Sequence, residues 1–118
     1  MPQPADLLIL RDKLRAFALA RDWDQFHSPK NLSMALMVEA AELMEHFQWL
    51  SEAQSANLDT EKTAAVAEEL ADILLYLVRL ADKLDVDLPE ATLRKLEKNA
   101  AKYPAEQVRG SAKKSSEY

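Results

Sequence analysis

A single glycine, Gly110, in 118 residues constrains this chain more than any other feature of its sequence. Hairpins, tight turns and phosphate-cradling loops draw on glycine, because it reaches positive φ without steric cost. A chain almost without it is predicted to be helical, with few tight turns. Hydrophobic spacing agrees. In ADLLILRDKLRAFALARD, residues 5–22, Leu7, Leu10, Leu14 and Phe17 recur at three- and four-residue intervals, as in an amphipathic helix. WDQFHSPKN then reads as a loop. Asn31 or Ser33 is expected to cap a second helix running to about Trp49. The polar stretch 51–60 precedes a third helix, capped by Asp59 or Thr60 and ending near Leu84. DVDLPE opens a fourth helix with Pro89 in its first turn, and Pro104 disfavours its continuation. The expected architecture is all-α: one four-helix, bundle-like domain over 1–104 and a flexible tail over 105–118.

The third helix carries more apolar surface than one protomer needs. Val66, Leu70, Ile73, Leu74, Leu77, Val78, Leu80 and Leu84 spread over more than half its circumference, whereas a surface helix needs a stripe of about 100°. Burial against a second subunit is the simplest use for the excess, so a homodimer, or a tetramer built as a dimer of dimers, is expected. A net charge of -5 with no basic stripe argues against a nucleic-acid polymer as partner. The absence of cysteine excludes disulfides, thiolate zinc sites and cysteine nucleophiles. No signal-peptide pattern opens the chain and no apolar run reaches the roughly 18 residues of a membrane span. A cytoplasmic protein with no membrane partner is therefore expected.

The second and third helices each place two carboxylates where a packed helix has little use for them. Glu39 and Glu42 share one face of the second helix, and Glu69 and Asp72 repeat the spacing on the third. Leu36, Ala40, Leu43 and Phe47 mark the core face of the second helix, and the carboxylate stripe, with His46, lies beside it. Solvation is the ordinary fate of such residues. If the two pairs face each other, however, two charges ~4 Å apart at an effective dielectric near 20 repel by ~4 kcal/mol. Such a cluster needs protons or a cation. With oxygen donors and no cysteine, the cation is hard, Mg²⁺ or Mn²⁺, with Ca²⁺ as an alternative. His46 raises zinc or iron on thin support.

Glu39-x-x-Glu42, 26 intervening residues and Glu69-x-x-Asp72 resemble the signature of the MazG-like, all-α nucleoside triphosphate pyrophosphohydrolases. RDWDQFHSPKNLSMALMVEAAELMEHFQW, EELADILLYLVRLADKLDVDLP and KLEKNAAKYP are similar to successive blocks of the family's dCTP pyrophosphatase branch, over about residues 7–104. The resemblance implies Mg²⁺-dependent cleavage of a (deoxy)nucleoside triphosphate, dCTP first, between the α and β phosphates. Mn²⁺ is the expected substitute. It assigns Glu39, Glu42, Glu69 and Asp72 to the metal and the catalytic centre. Lys95, Asn99 and Lys102, on one face of the fourth helix, match its phosphate-contacting block. Trp23 and Trp49 match residues that enclose the base, by stacking worth about 1–3 kcal/mol. His27 is a candidate hydrogen-bonding partner of base or phosphate, and Tyr76 a candidate contact to the sugar. Leu14 departs from the pattern, standing where eukaryotic members carry a histidine, which puts strict cytosine selectivity in doubt. The rival reading is a non-enzymatic helical adaptor that binds a partner protein. It accounts for the apolar arcs but not for the paired carboxylates. A redox di-metal bundle fails on its missing Glu-x-x-His pairs.

Overall fold

The computed structural model describes residues 4–112, whose regular structure is entirely helical. They form two compact units that meet in sequence at Val86 and Asp87. The first contains α1 (Pro4–Ala20), a 3-10 turn (Asp24–Phe26), α2 (Pro29–Glu45), α3 (Glu52–Ser55) and α4 (Thr60–Lys83). Helix α4 packs chiefly against α2 and to a lesser extent against α1. Ala18, Leu32, Val66, Val78 and Ala81 form the buried apolar core. Leu32 is 2% exposed, and burying such a side chain contributes about 1.5–3 kcal/mol. The apolar arc of α4 is divided. Val66 and Val78 are buried, whereas Leu70, Leu74, Leu77 and Leu84 remain exposed.

The chain turns without glycine by placing aspartate in the left-handed region. Helix α1 ends with the Trp23 N–H donating to the Ala18 carbonyl at 2.9 Å and the Asp22 N–H to Leu19 at 3.1 Å. Helix α4 ends identically: Val86 donates to Ala81 at 2.9 Å and Asp85 to Asp82 at 3.1 Å. Both are Schellman closures, and both aspartates sit at φ 54. Aspartate tolerates this conformation better than most side chains. The apolar residue that follows each one, Trp23 or Val86, occupies the position that usually packs back on the helix.

Helix starts are also fixed by side chains. Asp59 caps α4 as expected, accepting the Lys62 N–H at 2.7 Å. Helix α2 begins earlier than expected. Ser28 is its cap, accepting the Asn31 N–H at 3.1 Å, with Pro29 in the first turn. Asn31 and Ser33 lie inside the helix, where their side chains donate to the carbonyls of Phe26 and Lys30. Helix α2 also ends at Glu45, and the chain continues to Leu50 through turns. The polar stretch that precedes the expected third helix itself contains α3, nucleated by a capping box between Ser51 and Gln54.

The second unit contains α5 (Leu88–Lys102) and the single turn α6 (Ala105–Val108). Asp87 caps α5 by accepting the Glu90 N–H at 3.1 Å, and Pro89 occupies its first turn. Helix α5 stops before Pro104, as expected. Of the segment 105–118 assigned to a flexible tail, α6 is helical and residues 113–118 lie outside the described residues.

Candidate active site

The packing of α2 against α4 brings their carboxylates together. Glu39, Glu69 and Asp72 each offer an oxygen, and these oxygens lie within 4.8 Å of one another. Glu42, one turn beyond Glu39, is exposed and stands outside this trio, though its carboxyl also bears on Glu39. Ionised together, carboxylates this close repel by about 1–3.5 kcal/mol per pair, for effective dielectrics between 80 and 20. The Glu39 carboxyl is accordingly pushed up to about 7. The leading cause is its hydrogen bond with Glu69, followed by burial, the bond to and charge of Glu42, and the charge of Asp72. A hydrogen bond between two carboxyls requires a shared proton, so Glu39 keeps its proton to higher pH than an isolated carboxyl would. Meanwhile Oε2 of Glu69 is buried with no hydrogen-bond partner. Such an orphaned acceptor costs about 1–3 kcal/mol or more unless something electropositive meets it.

These residues suit a hard divalent cation. All donors are carboxylate oxygens, carried on two packed helices rather than on loops. His46, weighed as a zinc or iron ligand, caps the C-terminus of α2 and does not join the group. A cation at this point would satisfy the orphaned oxygen and compete with the proton on Glu39.

The other candidates of the first unit divide between exposed rings and a tethered loop. Trp49 is 86% exposed and Trp23 45% exposed, the latter meeting Phe17 edge-on with centroids 5.7 Å apart. Tyr76 is half-buried on α4, one turn beyond Asp72. His27 is half-buried, and its Nδ1 accepts a hydrogen bond from Arg79 Nε at 3.1 Å. Burial holds the His27 ring below its usual pKa, and the positive charges of Arg79 and Lys83 act in the same direction against Asp24.

That tether belongs to a network that the sequence reading did not single out. Arg79, 6% exposed, reaches Asp24 at 2.5 Å and Asp82 at 3.4 Å. Asp82 in turn takes both arms of Arg15, at 2.5 and 2.7 Å, while Lys83 joins Asp24 at 2.5 Å. These pairs hold the carboxyls of Asp82 and Asp24 below the usual range, through Arg15 and Lys83 respectively. The available signal was an arginine inside the apolar run LLYLVRL.

Lys95, Asn99 and Lys102 lie on α5 of the second unit, and all three are exposed. Lys95 and Asn99 line a shallow groove with Leu88, Ala91, Thr92 and Leu96. The ammonium of Lys102 stands 5.7 Å from the ring centroid of Tyr103.

Comparison with known proteins finds relatives that are named as pyrophosphatases. The dCTP pyrophosphatase 1 of Rattus norvegicus is 48% identical over 98 residues, covering 81% of this chain and 58% of that protein. Its Homo sapiens counterpart is 46% identical over 103 residues, covering 86% and 61%. The chain thus spans about three fifths of the length of these relatives. The crystal structure of a pyrophosphatase from Archaeoglobus fulgidus superimposes with a TM-score of 0.77 at 39% identity, covering 88% of this chain and 95% of that one. The model of the MazG-like family matches residues 34–118, the segment that carries all four carboxylates, and the chain belongs to that family.

Proposed function

We propose that this chain is a Mg²⁺-dependent nucleoside triphosphate pyrophosphohydrolase that prefers dCTP-like substrates. One water is consumed and the α–β phosphoanhydride breaks, giving the monophosphate and pyrophosphate. The observation that carries this reading is the convergence of Glu39, Glu69 and Asp72 oxygens within 4.8 Å around an unpartnered Glu69 oxygen. The names of the relatives supply the substrate.

Glu39, Glu69 and Asp72 would hold the ion, with Glu42 beside them. When bound, Mg²⁺ supplies charge neutralisation for the triphosphate and polarisation of its phosphoryl oxygens, and Mn²⁺ can substitute. The carboxylates orient the attacking water, and one of them takes its proton. Trp23 and Trp49 enclose the base, Tyr76 meets the sugar, and His27 provides a hydrogen bond. Lys95, Asn99 and Lys102 meet phosphate oxygens outside the metal shell. A ring at Tyr76 packed on the sugar disfavours a ribose 2′-OH. Ribonucleotides turned over as fast as deoxynucleotides would refute that assignment.

The active form in this proposal is a homodimer or a tetramer. Met37, Trp49, Leu70 and Leu77 are exposed apolar side chains that a partner subunit would cover, which supports the reading. The compartment proposed is the cytoplasm, and among the described residues no helix is long and apolar enough to cross a membrane. The adaptor reading draws on the same exposed side chains but gives no use to the carboxylate cluster. Anion-exchange analysis of products from a panel of dNTPs and NTPs, with Mg²⁺ and with EDTA, separates the two. Monophosphate and pyrophosphate formed only with Mg²⁺, and lost in Glu39→Gln, are the expected result. Diphosphate and phosphate would mean that another bond breaks, and no turnover would favour the adaptor.

A further inference from the structure

We propose that Arg79 is a positioning residue. By donating from Nε to Nδ1 of His27 it locks that ring in the Nε2–H tautomer, so that the loop 23–27 presents one fixed hydrogen-bond donor to an oxygen of the nucleotide. The tautomer follows from donor and acceptor identity. A guanidinium has five N–H donors and no acceptor, so the nitrogen facing it must carry the lone pair. In a neutral imidazole the remaining proton then sits on Nε2. Protonation of Nδ1 would set donor against donor at 3.1 Å. The charged groups around the ring are Asp24, Arg79 and Lys83, and the two cations oppose a third positive charge.

Arg79 is not free to turn away. Its side chain is 7% exposed and is gripped by Asp24 on one side and Asp82 on the other, with Asp82 itself held by Arg15. The 3-10 turn that carries the loop is therefore pinned to α4, the helix that bears Glu69 and Asp72. A neutral ring with one defined proton recognises an acceptor: the carbonyl of a pyrimidine or a phosphate oxygen. That the loop meets the nucleotide rests on the function proposed above, whereas the tautomer does not.

The test is a long-range proton–nitrogen correlation spectrum of the two histidines near neutral pH, assigned with His46→Gln. A bare Nδ1 and a protonated Nε2 on His27 are expected in the unaltered protein. A mixture of tautomers, or a protonated Nδ1, would overturn the proposal whether or not the protein hydrolyses nucleotides. Deoxycytidine and inorganic pyrophosphate are then added separately with Mg²⁺. A shift of the His27 Nε2 signal with deoxycytidine places the acceptor on the base, and one with pyrophosphate places it on the phosphates. A response to neither overturns the recognition role. In Arg79→Lys, which keeps the charge but loses the planar fork, the tautomers should mix. KM for dCTP should then rise about five- to tenfold, the value of one hydrogen bond, with kcat changed far less. Equal losses in kcat and kcat/KM with an unchanged His27 spectrum would contradict it.

Discussion

Glu39→Gln should make the metal-free protein more stable while removing its response to Mg²⁺. The side chain stands within 4.8 Å of both Glu69 and Asp72, so at pH 8, above its pKa of about 7, it takes part in two close repulsions besides that of Glu42. Each amounts to about 1–3.5 kcal/mol by Coulomb's law. The site is partly open to solvent, so screening brings the expected net gain down to about 1–2 kcal/mol. The glutamine amide adds a donor beside a cluster whose Glu69 Oε2 has none. Urea unfolding at fixed protein concentration, in EDTA and in Mg²⁺, measures both effects. The unaltered protein should gain about 2.7 kcal/mol at a hundredfold excess of Mg²⁺ over its dissociation constant, and the variant much less. If Glu39→Gln is instead destabilised in EDTA, or if the unaltered protein ignores Mg²⁺, the carboxylates are not a strained cation site and the proposed chemistry loses its foundation.

Asp82→Asn should cost about 2–4 kcal/mol in urea unfolding, because Arg79 is left buried with only the exposed Asp24 to balance it. The folded-state pKa values of Asp82 and Asp24 are lowered, so their stabilisation is present above the ordinary carboxylate range of about 4 and is lost as pH falls through the lowered values. Urea midpoints measured from about pH 5 downward should fall in the unaltered protein and much less steeply in Asp82→Asn. Asp85→Gly should add about 0.5–1 kcal/mol, since φ 54 suits glycine better than aspartate; a thermal melt that drops would show that the Asp85 side chain matters more than its backbone. Asp59→Ala removes the acceptor for the Lys62 N–H and should cost about 1 kcal/mol, read from the same melts.

How much of this was legible depended on whether a residue's role is local. Helix periodicity together with start and stop signals located α1, α2, α4 and α5, and Asp59 was readable as a cap because capping needs only the next few residues. Ser28 was missed although Ser-Pro is itself a helix-start signal, because the turn formers before it favoured a longer loop. The Ser51–Gln54 capping box was overlooked inside a polar stretch for the same reason. The spacing of the carboxylates predicted two acidic faces, and the packing of α2 on α4 supplies their meeting, which no local rule encodes. Arg79 was opaque on different grounds. Its partners Asp24 and His27 lie 55 and 52 residues away in sequence, and an arginine at the end of an apolar run reads equally well as solvated.

The acidic seam and the exposed apolar faces belong to one problem. Because α2 and α4 meet partly through carboxylates, their shared surface cannot be the dry seam that usually holds a helix pair together. Only five apolar residues are buried among the described residues, and two of them are alanines. The proposed function offers two remedies for so small a buried core: a cation that would turn repulsion in the seam into attraction, and partner subunits that would cover Met37, Leu70 and Leu77. Each supports the other. A rigid assembly would keep like charges close when the ion is absent, and the ion would stabilise the helix pair on whose outer faces the assembly would be built. Oligomerisation and metal binding should therefore be coupled, with Mg²⁺ strengthening association and association strengthening Mg²⁺ binding by the same factor.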